Sequence, residues 1–197
     1  MLIDKLKGFN IILASASPRR HAFLKTMNLD FNIQLQPIEE IYPSHLKSEE
    51  ITDYLAKLKA EPFLKNLKNK DIVITSDTIV WLDDKAIGKP KDKDDAFIMV
   101  KKLSNKTHEV ITSICFTLKS KQCIVNTITK VTFKALTDDE IRYYIDNYKP
   151  LDKAGAYGIQ EWIGAIAITR IEGSYNNVVG LPTHLLYKTL NDIAEGN

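Results

Sequence analysis

Residues 13–20, LASASPRR, place two serines, a proline and two arginines directly after the apolar run Phe9 to Ala14. Ser17 has the chemistry of a helix N-cap and Pro18 the fixed φ of a first helical turn, so the free amides of that turn would face outward from a strand end. Ser15, Ser17, Arg19 and Arg20 are therefore candidate phosphate ligands, because two permanent cations beside an already positive helix terminus repel each other until an anion arrives. The alternative is a well-capped surface helix with solvated arginines. Asp77, within TSDT, follows the short apolar run Ile72-Val73-Ile74-Thr75. A lone carboxylate there can bind Mg²⁺, activate a water, or simply close a turn.

Four further segments carry groups of the same chemistry. Lys89 stands between two backbone-restricting residues in IGKP, where its direction would be fixed for a phosphate contact. Glu39-Glu40, in a loop flanked by Pro37 and Pro43, offers a second metal-facing carboxylate or a plain solvated acidic loop. Lys59 follows Leu55 at i+4 and so lies along the apolar side of its helix, as a snorkelling lysine or a ligand-facing one. Asp152-Lys153-Ala154-Gly155-Ala156-Tyr157-Gly158-Ile159-Gln160 gathers one acid, one base and one amide among small residues that let backbone approach a ligand closely. His21, His45, His108 and His184 show no ligand spacing and read as structural. There is no GxxxxGK[ST] loop, no GxGxxG after a strand and no G-x-S-x-G elbow, which argues against P-loop, dinucleotide-binding and serine-hydrolase sites.

Alternating strand-like and helix-like segments must position these groups, and they point to an α/β architecture. Pro18 to Asn28 reads as a helix, Phe31 to Leu35 as a strand, and Ser48-Glu49-Glu50 opens a helix through Lys59 that ends near Pro62. Ile72 to Thr75 reads as a buried strand with Asp77 at its end. Asp92 to Leu103 reads as a helix, and 107–119 with 121–135 as a hairpin about Ser120-Lys121. Thr137 and Glu140 form a capping box for a helix to Tyr148. Pro150 to Gly158 reads as a loop, Ile163 to Ile171 as the last strand, and Pro182 to Ala194 as a closing helix.

The 197 residues are 44% hydrophobic, enough for a real core, and 27 basic against 25 acidic side chains leave a charge of only +2. That balance, with no basic stripe, gives no support for nucleic-acid or anionic-membrane binding. Neither a signal peptide nor a membrane span is expected, and two cysteines outside any metal or redox motif suit a reducing cytoplasm.

LASASPRR, SDTIV, IGKP, LSNKTHEVIT, PLDKAGAYGIQ and IEGSYNNVVGLP occur in that order over nearly the whole chain. This series resembles the Maf-family nucleoside triphosphate pyrophosphatases, and within them the dTTP/UTP branch. The resemblance implies a single catalytic domain over 1–197, in two lobes with a central cleft, built on an elongated mixed sheet flanked by helices and similar to the inosine triphosphate pyrophosphatases. It implies hydrolysis of a nucleoside triphosphate to monophosphate and pyrophosphate with Mg²⁺ or Mn²⁺, in nucleotide pool cleansing or cell-division arrest, and a homodimer. Asp77 falls on the family's proton acceptor, and whether it is base, metal ligand or both stays open. Arg19, Thr78 and Gln160 match positions linked to substrate selection; Glu40, Lys59, Lys89, Asp152 and Lys153 match other polar positions, with Glu40 the second metal carboxylate. Ser76 and Asn105 depart from the family's usual Ala and Gly. A second hypothesis is a nucleotide-responsive binding protein of cell division without significant turnover.

Overall fold

In the computed structural model, which describes residues 1–196, β1 (Asn10–Leu13) runs parallel to β3 (Asp71–Leu82), with Leu13 opposite Ile74, and also to the short β2 (Asn32–Ile33). The contacts divide into two compact units. The first comprises Met1–Asp77, Thr112–Thr127 and the segment from Gly180; the second comprises Thr78–Ile111 and Ile128–Val179.

In the first unit, alternation along the strands sorts the side chains onto two faces. Ile11, Leu13, Ile72 and Ile74 pack with Leu2 of α1 (Leu2–Lys5), Leu24 of α2 (Pro18–Thr26), and Leu186, Leu190 and Ile193 of α8 (Thr183–Ala194). Ile12 and Val73 point the other way, toward Phe63. On that side lies α3 (Glu49–Ala60), whose last turn runs into a 3₁₀ helix at Glu61–Asn66 around Pro62.

The second unit holds the remainder of β3, paired antiparallel with β4 (Lys85–Ile87) across Asp83-Asp84. Both turn residues have positive φ, as a tight two-residue hairpin needs. β5 (Thr107–Thr117) and β6 (Gln122–Phe133) follow, and β7 (Ile168–Glu172) pairs antiparallel with β6. The seven strands run in the order β2-β1-β3-β5-β6-β7, with β4 on β3, so the sheet is mixed and helices flank it. α4 (Lys93–Leu103) and α5 (Asp138–Tyr148) pack with Val80, Val131 and Phe133 in a common core, and Thr137 and Glu140 form the expected capping box. No described helix is long and apolar enough to cross a membrane.

Three readings change. Asp77 lies within β3 rather than at its end, because Thr78-Ile79-Val80-Trp81 is a β-branched and aromatic continuation that extends the strand to Leu82. The segment expected as one strand over 163–171 begins as helix α6 (Trp162–Ala167), which buries Ile163 and Ala167 at i and i+4, and only then becomes β7. α1 and α7 (Tyr175–Val179) were not expected at all. Asn105 has φ 57°, so it takes the left-handed conformation that a glycine at that position would supply.

Candidate active site

β1 ends beside Ile74, whose carbonyl accepts from Ala14 N–H at 2.9 Å, and the chain turns through Ser15 and Ser17 into α2. Ser17 is the N-cap in extended conformation with Pro18 first in the helix, but its hydroxyl makes no cap hydrogen bond. Its N–H instead donates to Oγ of the buried Ser15 at 3.2 Å. His21, one turn into α2, meets the Ser15 carbonyl at 2.6 Å. A carbonyl only accepts, so Nε2 carries the proton there.

Arg20 reaches back across this turn. Its Nε donates to Gly180 O at 2.9 Å, and its Nη1 donates to Ser76 O at 2.8 Å and Ser15 Oγ at 3.4 Å. Desolvation lowers the guanidinium pKa below its ordinary value, opposed by the nearby charge of Asp77. Arg20 was expected as a phosphate ligand; the structure engages it in tying three chain segments together around Asp77. Arg19 is half-buried on the same helix.

β3 and α3 meet in two matched contacts. Thr75 and Asp77, two residues apart, share one face of the strand, and Ala56 and Lys59, three apart, share one face of the helix. Thr75 Oγ1 donates to Ala56 O at 2.6 Å, and Lys59 Nζ donates to Asp77 Oδ1 at 2.6 Å. The same ammonium lies 3.2 Å from Glu40 Oε1. Asp77 and Lys59 side chains are 8% and 17% exposed, against 47% for Glu40, so this is a mostly desolvated pair with one wet partner. Ser76, alternating to the opposite face, is buried with a hydroxyl that has no hydrogen-bond partner among the described residues.

Asp77 Oδ1 and Glu40 Oε1 thus converge on one ammonium, at 2.6 and 3.2 Å. Among the described residues no group of three or more His, Cys, Asp or Glu side chains could hold a metal. Asp77 and Glu40 nevertheless suit Mg²⁺ or Mn²⁺, since such ions usually take only one or two carboxylates beside substrate phosphates and water.

Thr78, Lys89, Lys153 and Gln160 belong to the second unit. Lys89 is exposed directly after Gly88, whose carbonyl accepts from Gly155 N–H at 2.9 Å. Gly155 has φ 67°, and a Cβ there would stand 2.8 Å from Val80 Cγ2, so both backbone and space require glycine. Lys153 is buried, with Nζ 2.7 Å from Asp152 Oδ1 and 3.1 Å from Glu161 Oε1. It too was expected to bind phosphate, and here its charge is compensated within its own loop. Gln160 is exposed between the buried Ile159 and the half-buried Glu161.

Sequence reasoning passed over Tyr144 and Glu161, which hydrogen-bond to each other beside this loop. It also gave no role to the contact between His108 Nε2 and Tyr157 Oη at 2.7 Å beneath the loop. Spacings of 17 and 49 residues carry no local signal. His108 is buried against Tyr157 and Phe133, its Nδ1 has no hydrogen-bond partner among the described residues, and desolvation pulls its pKa down to about 4. The unfolded chain takes up this proton below about pH 6.5 and the folded chain only near pH 4, so the stability from neutral His108 is complete above the first value and is lost on acidification toward the second. Denaturation midpoints should fall by an equivalent of about 2 kcal/mol from pH 7 to pH 5 on this account. His108→Leu, less stable at pH 7, should have a correspondingly flatter profile; parallel profiles would remove His108 as the cause.

A profile of the Maf-like protein family matches residues 10–193. The dTTP/UTP pyrophosphatase of Flavobacterium psychrophilum is 62% identical over 187 residues, covering 95% of this chain and 96% of that protein. The dTTP/UTP pyrophosphatase of Flavobacterium johnsoniae is 58% identical over 193 residues, covering 98% and 100%. In fold, the chain matches the Staphylococcus aureus Ham1 protein with TM-score 0.55 at 18% identity, over 93% of this chain and 99% of that one. With a matching family profile over most of its length and relatives this similar end to end, the chain belongs to the Maf-like protein family.

Proposed function

We propose that the chain hydrolyses dTTP and UTP to the nucleoside monophosphate and pyrophosphate, the activity named for its relatives. The observation that carries this reading is the Asp77–Lys59–Glu40 arrangement, a desolvated acid and cation with a second, exposed acid on the same ammonium, Asp77 lying on the strand whose Ser76 carbonyl is held by Arg20 of the Ser15–Arg20 turn. The positive N-terminal end of α2, Arg19 and Lys89 neutralise the triphosphate. Lys59 fixes Asp77 Oδ1, which leaves Oδ2 to accept the proton of a water attacking the α-phosphorus. As the water oxygen bonds to phosphorus, the bond to the β-phosphate oxygen breaks and pyrophosphate departs with its electron pair. A divalent cation held by Asp77 and Glu40 would supply charge neutralisation at the phosphate oxygens and a more acidic water.

Arg19, Thr78 and Gln160 select the substrate. The thymine or uracil edge offers an N–H beside a carbonyl, and a carboxamide presents the complementary acceptor and donor. A cytosine edge mismatches that pattern. Both cysteines are free thiols, which fits work in a reducing compartment such as the cytoplasm.

Purified protein with Mg²⁺ or Mn²⁺ should release pyrophosphate, not phosphate, chiefly from dTTP and UTP in a panel that includes CTP, ATP, GTP and 7-methyl-GTP. Pyrophosphate from 7-methyl-GTP alone would keep the chemistry and overturn the base assignment. Nucleotide binding without turnover on any of them would make the chain a nucleotide-responsive binder.

A further inference from the structure

The loop that carries Gln160 is held at both corners of one turn by a single hydroxyl. Gly158 to Glu161 is a four-residue turn closed by Glu161 N–H donating to Gly158 O at 3.0 Å, with Ile159 and Gln160 as its central residues. Ile159 is buried and Gln160 exposed, so one apex residue anchors the turn while the other is presented outward. Tyr144 Oη, from the fully buried Tyr144 on α5, accepts from Gly158 N–H at 3.0 Å and donates to Glu161 Oε2. Glu161 Oε1 in turn takes the ammonium of Lys153, 3.1 Å away and itself paired with Asp152.

The fit allows little slack. A Cβ on Gly158 would lie 2.8 Å from Glu161 Cδ and 3.1 Å from Lys153 Cε, so the absent side chain is what lets the two anchors close over the turn. Burial and then the Glu161 carboxylate raise the Tyr144 pKa, so the phenol keeps the proton it donates. Tyr144 packs in the core with Ile141 and Ile145 of the same helix face, so what its hydroxyl adds to that packing is the pair of bonds to the turn. Their shared geometric consequence is the direction in which Gln160 leaves the turn.

We infer that Tyr144 and Glu161, backed by Lys153, form a clamp that sets the place of the Gln160 carboxamide and so act as positioning residues for pyrimidine selection. The inference rests on Gln160 reading the base. A group that only stabilises the fold would change the melting temperature and treat all nucleotides alike, whereas a positioning clamp changes their ranking.

The test is steady-state turnover of dTTP, UTP and CTP by the wild type, Tyr144→Phe and Glu161→Ala, with melting temperatures measured alongside. Tyr144→Phe keeps the ring and removes both bonds; it should lower the dTTP/CTP ratio of kcat/KM about tenfold, through a raised KM for dTTP at little changed kcat. Glu161→Ala should move the ratio in the same direction, and Glu161→Gln, which keeps an acceptor for Tyr144, should recover most of it. If Tyr144→Phe does not fold, Glu161→Ala against Glu161→Gln carries the same readout. Unchanged ratios with lower melting temperatures would overturn the clamp and leave the proposed function standing. A wild type that makes no pyrophosphate from dTTP or UTP would overturn both.

Discussion

Asp77→Asn is expected to lower kcat/KM for dTTP by about 10³-fold, measured as pyrophosphate release, in a protein that still folds. The substitution is nearly isosteric and leaves the strand undisturbed. It removes a proton acceptor and one of two carboxylates in a site that has no third to replace it among the described residues. Removing one partner of a mostly buried ion pair ordinarily costs about 3–5 kcal/mol. Here the loss should be smaller, about 2 kcal/mol, because the asparagine carbonyl can still accept from Lys59, and Glu40 remains 3.2 Å from that ammonium. The expected pattern is therefore near-complete loss of turnover with a modest fall in denaturation midpoint. Activity within a few-fold of wild type would remove Asp77 from the mechanism. Loss of folding with loss of activity would instead make the Asp77–Lys59 pair chiefly a structural element.

The parts of this site legible in the sequence are those fixed by short-range chemistry. The LASASPRR turn was readable because Ser, Pro and the preceding apolar run each have a local conformational preference, and Pro18 does open α2. The Thr137 capping box was readable for the same reason. Side chains that reach across the fold were not. Nothing in the local sequence tells Arg20, whose guanidinium spans to Ser76 and Gly180, from Arg19 beside it. Likewise nothing local to Lys153 announces Glu161, eight residues on, whose carboxylate lies beside its ammonium. The misread strand at 163–167 has a further cause. IGAIA is short and apolar throughout, so its period is ambiguous, and tertiary burial of Ile163 and Ala167 decides for helix.

That same short helix carries the second large effect. Gly164 stands in the first turn of α6, where its N–H donates to Glu161 O at 2.9 Å. A Cβ added there would lie 1.8 Å from the Ile159 carbonyl oxygen, 2.5 Å from its carbon and 3.0 Å from Ile159 Cα. These are backbone atoms of the turn that presents Gln160, so no side-chain rotation relieves the overlap. α6 cannot easily retreat, because Ile163 and Ala167 are wholly buried in the core of this unit. The turn must then move by about an ångström or more, away from the Tyr144 hydroxyl that ties its two corners. Gly164→Ala is accordingly expected to cost about 3 kcal/mol of stability and to lower kcat/KM for dTTP about 10²-fold. Gly88→Ala is the matched control, since nothing lies within 4 Å of its added Cβ and its φ is not in the left-handed region. Wild-type stability and dTTP turnover in Gly164→Ala would mean that α6 and the turn separate at little cost. In that event the place of Gln160 is set by the nucleotide when it binds, and the rigid presentation argued from Tyr144, Glu161 and Gly158 would fail with it.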